Sequence, residues 1–167
     1  ANGSPIGDSM PCLLALGATL HLRRGEKTRH VAMESFYTGQ KQNVLKPGEF
    51  IEAIELPKPV RGHRFHAHKV SKRFEQDISA TCCALHYRVV KGVLKDVRLA
   101  YNGLTPFPAR APKIEAALEG RAPGEVTPQA LDAAIAASFT PRDGLRATWT
   151  YRALIARNLV LQFLESA

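Results

Sequence analysis

The sequence is short of the groups from which reactive and metal centres are built. It holds three cysteines, two methionines and one tryptophan in 167 residues. Cys12, Cys82 and Cys83 are odd in number, two are adjacent, and none has a partner at metal-ligand spacing. That excludes a disulfide framework and a zinc site, and it points to reduced thiols in a cytoplasmic setting. There is no Gly-x-Ser-x-Gly elbow, and neither Cys82 nor Cys83 has a base partner in sequence, so no nucleophilic centre is legible. No apolar run approaches the roughly 18 residues of a membrane helix, and the start does not read as a signal peptide. Internal repeats and low-complexity tracts are missing as well.

Acidic residues are missing from one stretch in particular. The chain carries a net charge of +8. Residues 1–56 balance six basic against six acidic residues, whereas 57–73 holds Lys58, Arg61, Arg64, Lys69, Lys72 and Arg73 with no acid. Such a block is a solvated face, a nucleic-acid surface or a seat for a phosphate-bearing cofactor. Phe65 and Phe74 lie among the cations and suit base stacking, yet the motifs of the common nucleic-acid modules are lacking. His66 and His68 share a face if this stretch is a strand, but the surrounding cations oppose a metal and no carboxylate completes a shell. Asp77, beside Glu75 and Gln76, reads as a loop acid with Arg73 as its partner.

What is present suits a buried core: 45% hydrophobic and 23% charged residues, enough for one domain or a small domain with an appended piece. The opening is a polar turn punctuated by Gly3, Pro5 and Gly7. Asp8 or Ser9 then offers a cap to a helix with Pro11 in its first turn, Leu13, Leu14 and Leu16 on its apolar face, and Gly17 at its end. A Gly- and Ser-rich turn leading into a helix exposes N–H groups that suit an anion. Alternation predicts strands over 18–23, 28–32, 50–56, 64–73, 78–90 and 93–101, with a helical turn near 33–36, a polar loop over 38–43 and a turn at Lys91-Gly92. On the 78–90 strand, Cys83, Leu85 and Tyr87 share one face and Cys82, Ala84 and His86 the other. Helices are predicted over 109–118, 127–137 and 146–165, the second opening on Thr127-Pro128. Pro57–Gly62 is the candidate boundary. The fold class is therefore α+β, an antiparallel sheet covered by helices.

Several motifs resemble one family. Ser4-Pro5-Ile6-Gly7-Asp8-Ser9 with Pro11 looks like the second FAD loop of the molybdenum hydroxylases. Lys69-Val-Ser-Lys-Arg-Phe-Glu-Gln-Asp-Ile-Ser-Ala80 is similar to a run of the xanthine dehydrogenases and differs from the carbon-monoxide dehydrogenase branch. Leu45-Lys-Pro-Gly-Glu-Phe-Ile51, Ala100-Tyr-Asn-Gly-Leu-Thr-Pro106 and Tyr151–Leu159 extend the likeness from Ala1 to the C-terminus. The match is greatest to the FAD-binding small subunit of bacterial xanthine dehydrogenase.

The resemblance implies a fragment that starts just after a Gly-Gly-Asn-Ile-type run. Residues 1–57 would be the end of a PCMH-type FAD-binding domain, and residues 64–167 a CO-dehydrogenase flavoprotein C-terminal-like domain. By motif position Asp8 and Lys69 would contact FAD, Ile51 would pack against it, and Ser4 and Gly7 would belong to the same loop; Asp77 would lie in a loop near the flavin. No catalytic residue and no metal ligand is implied. In the family FAD takes electrons from 2Fe-2S clusters and reduces NAD+ during hypoxanthine and xanthine oxidation. The clusters and the molybdenum cofactor lie on an iron–sulfur domain and a molybdenum-binding large subunit, so the isolated fragment would be inactive. Cys83 and Asn102 stand where the family commonly has Gly, and a side chain at either place alters packing or flavin access. The other reading that the residues leave open is a basic binding module for nucleic acid or an acidic partner. The flavin reading asks Asp8, Ile51 and Lys69 to converge on one groove, the other asks the cations of 61–73 to form an exposed stripe.

Overall fold

Alternating Leu20 and Leu22, both about 1% exposed, turn one face of the first sheet inward. Thr19–Arg24 (β1) pairs antiparallel with Lys27–Ala32 (β2) on one side and with Phe50–Glu55 (β5) on the other. The computed structural model describes residues 3–165. Ala1 and Asn2, where the resemblance begins, and Ser166 and Ala167, which end the expected C-terminal domain, lie outside the described residues. A short helix, Ser9–Ala15 (α1), buries Pro11, Leu14 and Ala15, and 3-10 turns cover Met33–Ser35 and Pro123–Glu125. The expected polar loop over 38–43 instead forms a small ribbon of Tyr37–Gly39 (β3) and Gln42–Asn43 (β4). Arg29 braces the approach to β5: its guanidinium donates to Glu49 at 2.9 and 2.8 Å and to the Val44 carbonyl at 2.7 Å. Those bonds, with the Lys46 N–H, hold the Glu49 carboxyl down at about 2.

The second sheet runs β6-β7-β8-β9: His63–Ser71, Ser79–Val90, Val93–Asn102 and Ala109–Arg110. Lys91 and Gly92, at φ 51° and 81°, close the β7–β8 hairpin with both central residues left-handed, the geometry that a two-residue turn requires. The expected alternation holds. Cys83, Leu85 and Tyr87 enter a core shared with Pro112–Leu118 (α2), Pro128–Ser138 (α3) and Trp149–Glu165 (α4), while Cys82 looks to the other side, where its thiol approaches the Asp8 carbonyl. Ile114, Leu118, Val160 and Leu99 are at or near zero exposure, and each such side chain contributes about 1.5–3 kcal/mol on burial. The architecture is α+β, antiparallel sheets with helices packed on them.

Two helix starts differ from the periodic expectation. Ala109 and Arg110 extend the sheet by pairing with Tyr101 and Ala100, so α2 begins only at Pro112, whose missing N–H suits a first turn. The last helix begins at Trp149, three residues after Arg146, where the Asp143 carboxylate accepts the Trp149 N–H at 2.7 Å. Thr127 caps α3 as expected, its hydroxyl oxygen accepting the Ala130 N–H at 3.2 Å.

α1 lies against β7 and β8, and charged groups of the second sheet hold its end and the Met33–Ser35 turn there. Arg98 on β8 donates to the Ala15 and Leu14 carbonyls at the end of α1, at 3.1 and 2.9 Å, and pairs with Glu34 at 3.1 Å. Arg110 bridges the same Glu34 to Glu115, which in turn accepts the Leu99 N–H at 2.8 Å. Orphan carbonyls of a helix end are thereby satisfied by a cation, where the dipole favours one.

Gly103, just past β8, is the tightest point of this junction. Its φ is +80°, and an added Cβ would collide with the Ala80 carbonyl oxygen. Its N–H donates to the Pro5 carbonyl at 2.9 Å and its own carbonyl accepts from Arg152 at 2.8 Å. Gly103→Ala is expected to destabilise the chain by about 3 kcal/mol through backbone strain and the clash. A urea unfolding midpoint equal to that of the parent chain would contradict this.

Candidate functional site

Asp8 occupies the N-cap position of α1 but makes no side-chain bond to that helix. Better donors draw its carboxylate away. Oδ1 accepts from the Ser79 hydroxyl at 2.5 Å and from Asn102 Nδ2 at 2.9 Å, and Oδ2 pairs with Lys69 Nζ at 2.9 Å. The three partners come from β7, β8 and β6 in turn, so the second sheet presents them side by side to the turn before α1. Ser79 and Asn102 are fully buried, whereas Asp8 and Lys69 keep 34% and 37% of their side chains exposed. The result is a carboxylate gripped from below with an ammonium beside it at the surface. Burial opposes ionisation of Asp8, but the bonds from Ser79, Lys69 and Asn102 outweigh it and hold the carboxyl below its ordinary value.

Asn102 and Ser79 belong to this arrangement and were not among the residues expected to form it. Asn102 Oδ1 accepts the Cys82 N–H at 2.5 Å, and its Nδ2 also reaches Ser79 Oγ at 3.3 Å. Far from disturbing the packing, the side chain at 102 fills a bonded niche. Cys83, the other position where Gly was expected, is fully buried among the helices. The only available signal for the network was the alternation of β7 and β8, which puts Cys82 opposite Asn102; the residues themselves lie 71 and 94 positions from Asp8.

The other expected residues are placed as follows. Ile51 sits on β5 opposite Leu22, packed against the cluster that holds Leu20, Met33 and Phe36. Ser4 Oγ accepts the Ile6 N–H at 3.4 Å, and the Gly7 N–H donates to the Ser4 carbonyl at 3.3 Å, so both shape the turn that delivers Asp8. Pro5 and Ile6 of that turn, with Gly103, Thr105, Phe139 and Arg152, line a cleft of about 580 Å³. Asp77 spends both oxygens on its own loop, accepting the Arg73 N–H at 2.9 Å and the Ile78 N–H at 2.8 Å; the Arg73 N–H bond leads in holding its carboxyl below the ordinary value.

The thiols are poor nucleophiles here. Burial raises Cys12, pushes Cys82 up to about 12 and drives Cys83 higher still. The histidines of β6 do not gather. His66 is stacked between Tyr87 and Phe163, and His63 is stacked on His86 on the opposite face. Among the described residues no group of three or more His, Cys, Asp or Glu is arranged to hold a metal, and no helix is long and apolar enough to cross a membrane. Arg61, Arg64, Lys69, Lys72 and Arg73 are all exposed, with Lys69 paired to Asp8 at 2.9 Å and Arg73 lying 3.5 Å from Asp77.

Comparison with known proteins gives this geometry a family. Residues 66–167 match the CO dehydrogenase flavoprotein C-terminal domain, and residues 1–59 match the FAD binding domain in molybdopterin dehydrogenase. The chain is 36% identical to chicken (Gallus gallus) xanthine dehydrogenase/oxidase over 121 residues, covering 71% of this chain and 9% of that protein. It is 30% identical to the carbon monoxide dehydrogenase medium chain of Afipia carboxidovorans over 171 residues, covering all of this chain and 58% of the relative. Nicotinate hydroxylase of Emericella nidulans is 32% identical over 75% of this chain and 10% of its own length. The chain thus spans about a tenth of two of these relatives and a little over half of the third. Among solved structures, carbon monoxide dehydrogenase from Hydrogenophaga pseudoflava superposes with a TM-score of 0.86 at 27% identity, over 99% of this chain and 57% of that one. On these matches the chain belongs to the FAD-binding domains of the molybdopterin dehydrogenase family, with the CO dehydrogenase flavoprotein C-terminal domain as its larger part.

Proposed function

We propose that this chain is part of the FAD-holding component of a xanthine dehydrogenase, in which the flavin receives electrons from iron–sulfur clusters and reduces NAD+ as hypoxanthine and xanthine are oxidised. The observation that carries the reading is the Asp8–Lys69 pair, poised at the surface on a buried polar base, in a chain whose first 59 residues match an FAD binding domain. The Lys69–Ala80 run and the likeness to the chicken enzyme support the xanthine branch. The 2Fe-2S clusters and the molybdenum cofactor would lie on an iron–sulfur domain and a molybdenum-binding large subunit, the partners of this component.

The donor set fits a flavin nucleotide. Lys69 offers a compact cation for a phosphate or an electron-rich ring edge, and Asp8 offers an acceptor for a hydroxyl or amide while fixing where the ammonium sits. Ser4 and Gly7 shape the turn that carries Asp8, and Ile51 would supply apolar packing. When bound, FAD supplies the exchange between one- and two-electron transfer, and the residues here hold and orient it. None of them is placed as a proton-transfer catalyst.

Two outcomes follow. This chain by itself is expected to bind FAD weakly or not at all, because it spans little more than half of the medium chain it matches. Fluorescence titration that shows tight, stoichiometric binding by the chain alone would refute that. In the intact gene product, Lys69→Ala and Asp8→Asn are each expected to weaken FAD binding by roughly tenfold or more, the scale of one charge-assisted hydrogen bond. Unchanged flavin affinity in both variants would overturn the assignment of this site.

A further inference from the structure

The geometry points to Asn102 as the positioning residue of the Asp8–Lys69 pair, the group that decides which carboxylate oxygen faces the lysine and hence the bound flavin. The inference rests on the flavin reading of that pair. Asn102 is fully buried, so it would act only through Asp8.

The orientation of its amide is not arbitrary. Cys82 and Asn102 are register partners at the end of the β7–β8 ladder, and the buried Cys82 N–H bonds to the Asn102 side chain at 2.5 Å. A backbone N–H demands an acceptor, which places Oδ1 there and turns Nδ2 toward Asp8. Nδ2 then donates to Asp8 Oδ1 at 2.9 Å, with Ser79 Oγ beside that bond at 3.3 Å. Ser79, its oxygen engaged as an acceptor, gives its own hydrogen to Asp8 Oδ1 at 2.5 Å. One carboxylate oxygen therefore receives two buried donors, and the other is left for Lys69 at 2.9 Å. A single amide sets the sense of the whole chain of bonds, from a ladder N–H to a surface ammonium. Without its donors, Asp8 keeps one bond below and is free to rotate out of line with Lys69.

Asn102→Asp separates positioning from folding. It keeps an acceptor for the Cys82 N–H and nearly the same shape, but replaces both donors with a second carboxylate beside Asp8. Two such carboxyls share a proton readily, and a shared proton restores a donor between them. The surrounding titratable groups are Lys69 from β6, Cys82 from β7 and Cys12 from α1; burial raises both thiols, Cys82 to about 12, so they stay neutral through the working range.

The experiment measures FAD affinity of the intact gene product by flavin fluorescence, for the parent, Asn102→Asp and Asn102→Ala, with circular dichroism as the check on folding. In Asn102→Asp, binding is expected to fall roughly tenfold or more near pH 8 and to recover toward the parent value near pH 5.5, as the carboxyl pair takes up a proton. Asn102→Ala is expected to lose affinity by a similar factor with no recovery. A parent protein that holds no FAD would sink the flavin reading itself. If the parent binds FAD but Asn102→Asp binds equally well at pH 8, weakens by a factor independent of pH, or fails to fold, the positioning role is overturned while the flavin reading stands.

Discussion

The corner formed by Asn102 and Gly103 is the constraint on which the rest of the molecule turns. Gly103 adopts a left-handed conformation with no room for a Cβ, and its N–H and carbonyl are claimed by Pro5 and by Arg152 on α4. One residue earlier, Asn102 closes the β7–β8 ladder with a side chain in place of backbone and reaches Asp8. Within two residues the N-terminal turn, the second sheet and the last helix are joined by directional bonds. Buried polar groups of this kind cost several kcal/mol if unpaired, so the corner tolerates few alternative arrangements of the turn that carries Asp8.

The positive charge of the chain is put to structural use before any partner is considered. Arg98 caps the end of α1, Arg110 links Glu34 to Glu115, Arg29 clamps Glu49, and Arg152 holds the Gly103 carbonyl. Each replaces a missing backbone partner or fixes a loop, work for which the planar fork of arginine is suited. Lys69 differs in being a lysine at a half-exposed site, where a compact ammonium on a flexible stem can follow a ligand group without losing contact with Asp8.

What could be read from the residues follows the range of the interactions. Lys91-Gly92, the cap at Thr127 and the faces of β7 depend on neighbours within a few positions, and periodicity alone shows them. Helix α2 is displaced by three residues because the pairing of Ala109 with Tyr101 is a tertiary choice that outweighs a helical pattern in Ala109–Leu118. The candidate site was half legible. Motif resemblance named Asp8 and Lys69, yet the bonds joining them to Ser79 and Asn102 span 71 and 94 positions and leave no local trace. Asn102 is the instructive case: as a departure from glycine it looks like a disturbance, and only the opposing Cys82 N–H reveals a purpose.

The division of exposure across the pair explains why a buried base suits a ligand site. An exposed ion pair contributes little, because two long side chains must be ordered and solvent screens the attraction. Here Asp8 is ordered in advance by Ser79 and Asn102, which have no freedom to lose since both are fully buried. Lys69 then meets a carboxylate already in place, and its ammonium keeps donors directed outward because Asp8 engages it through one oxygen. On the proposed flavin reading, a phosphate or ring oxygen arriving from solvent would add to that arrangement instead of assembling it, so most of the ordering cost would be borne by folding and little left to binding. The same logic requires that the base stay dry and the rim stay wet, which is how burial is distributed between Asn102 and Lys69.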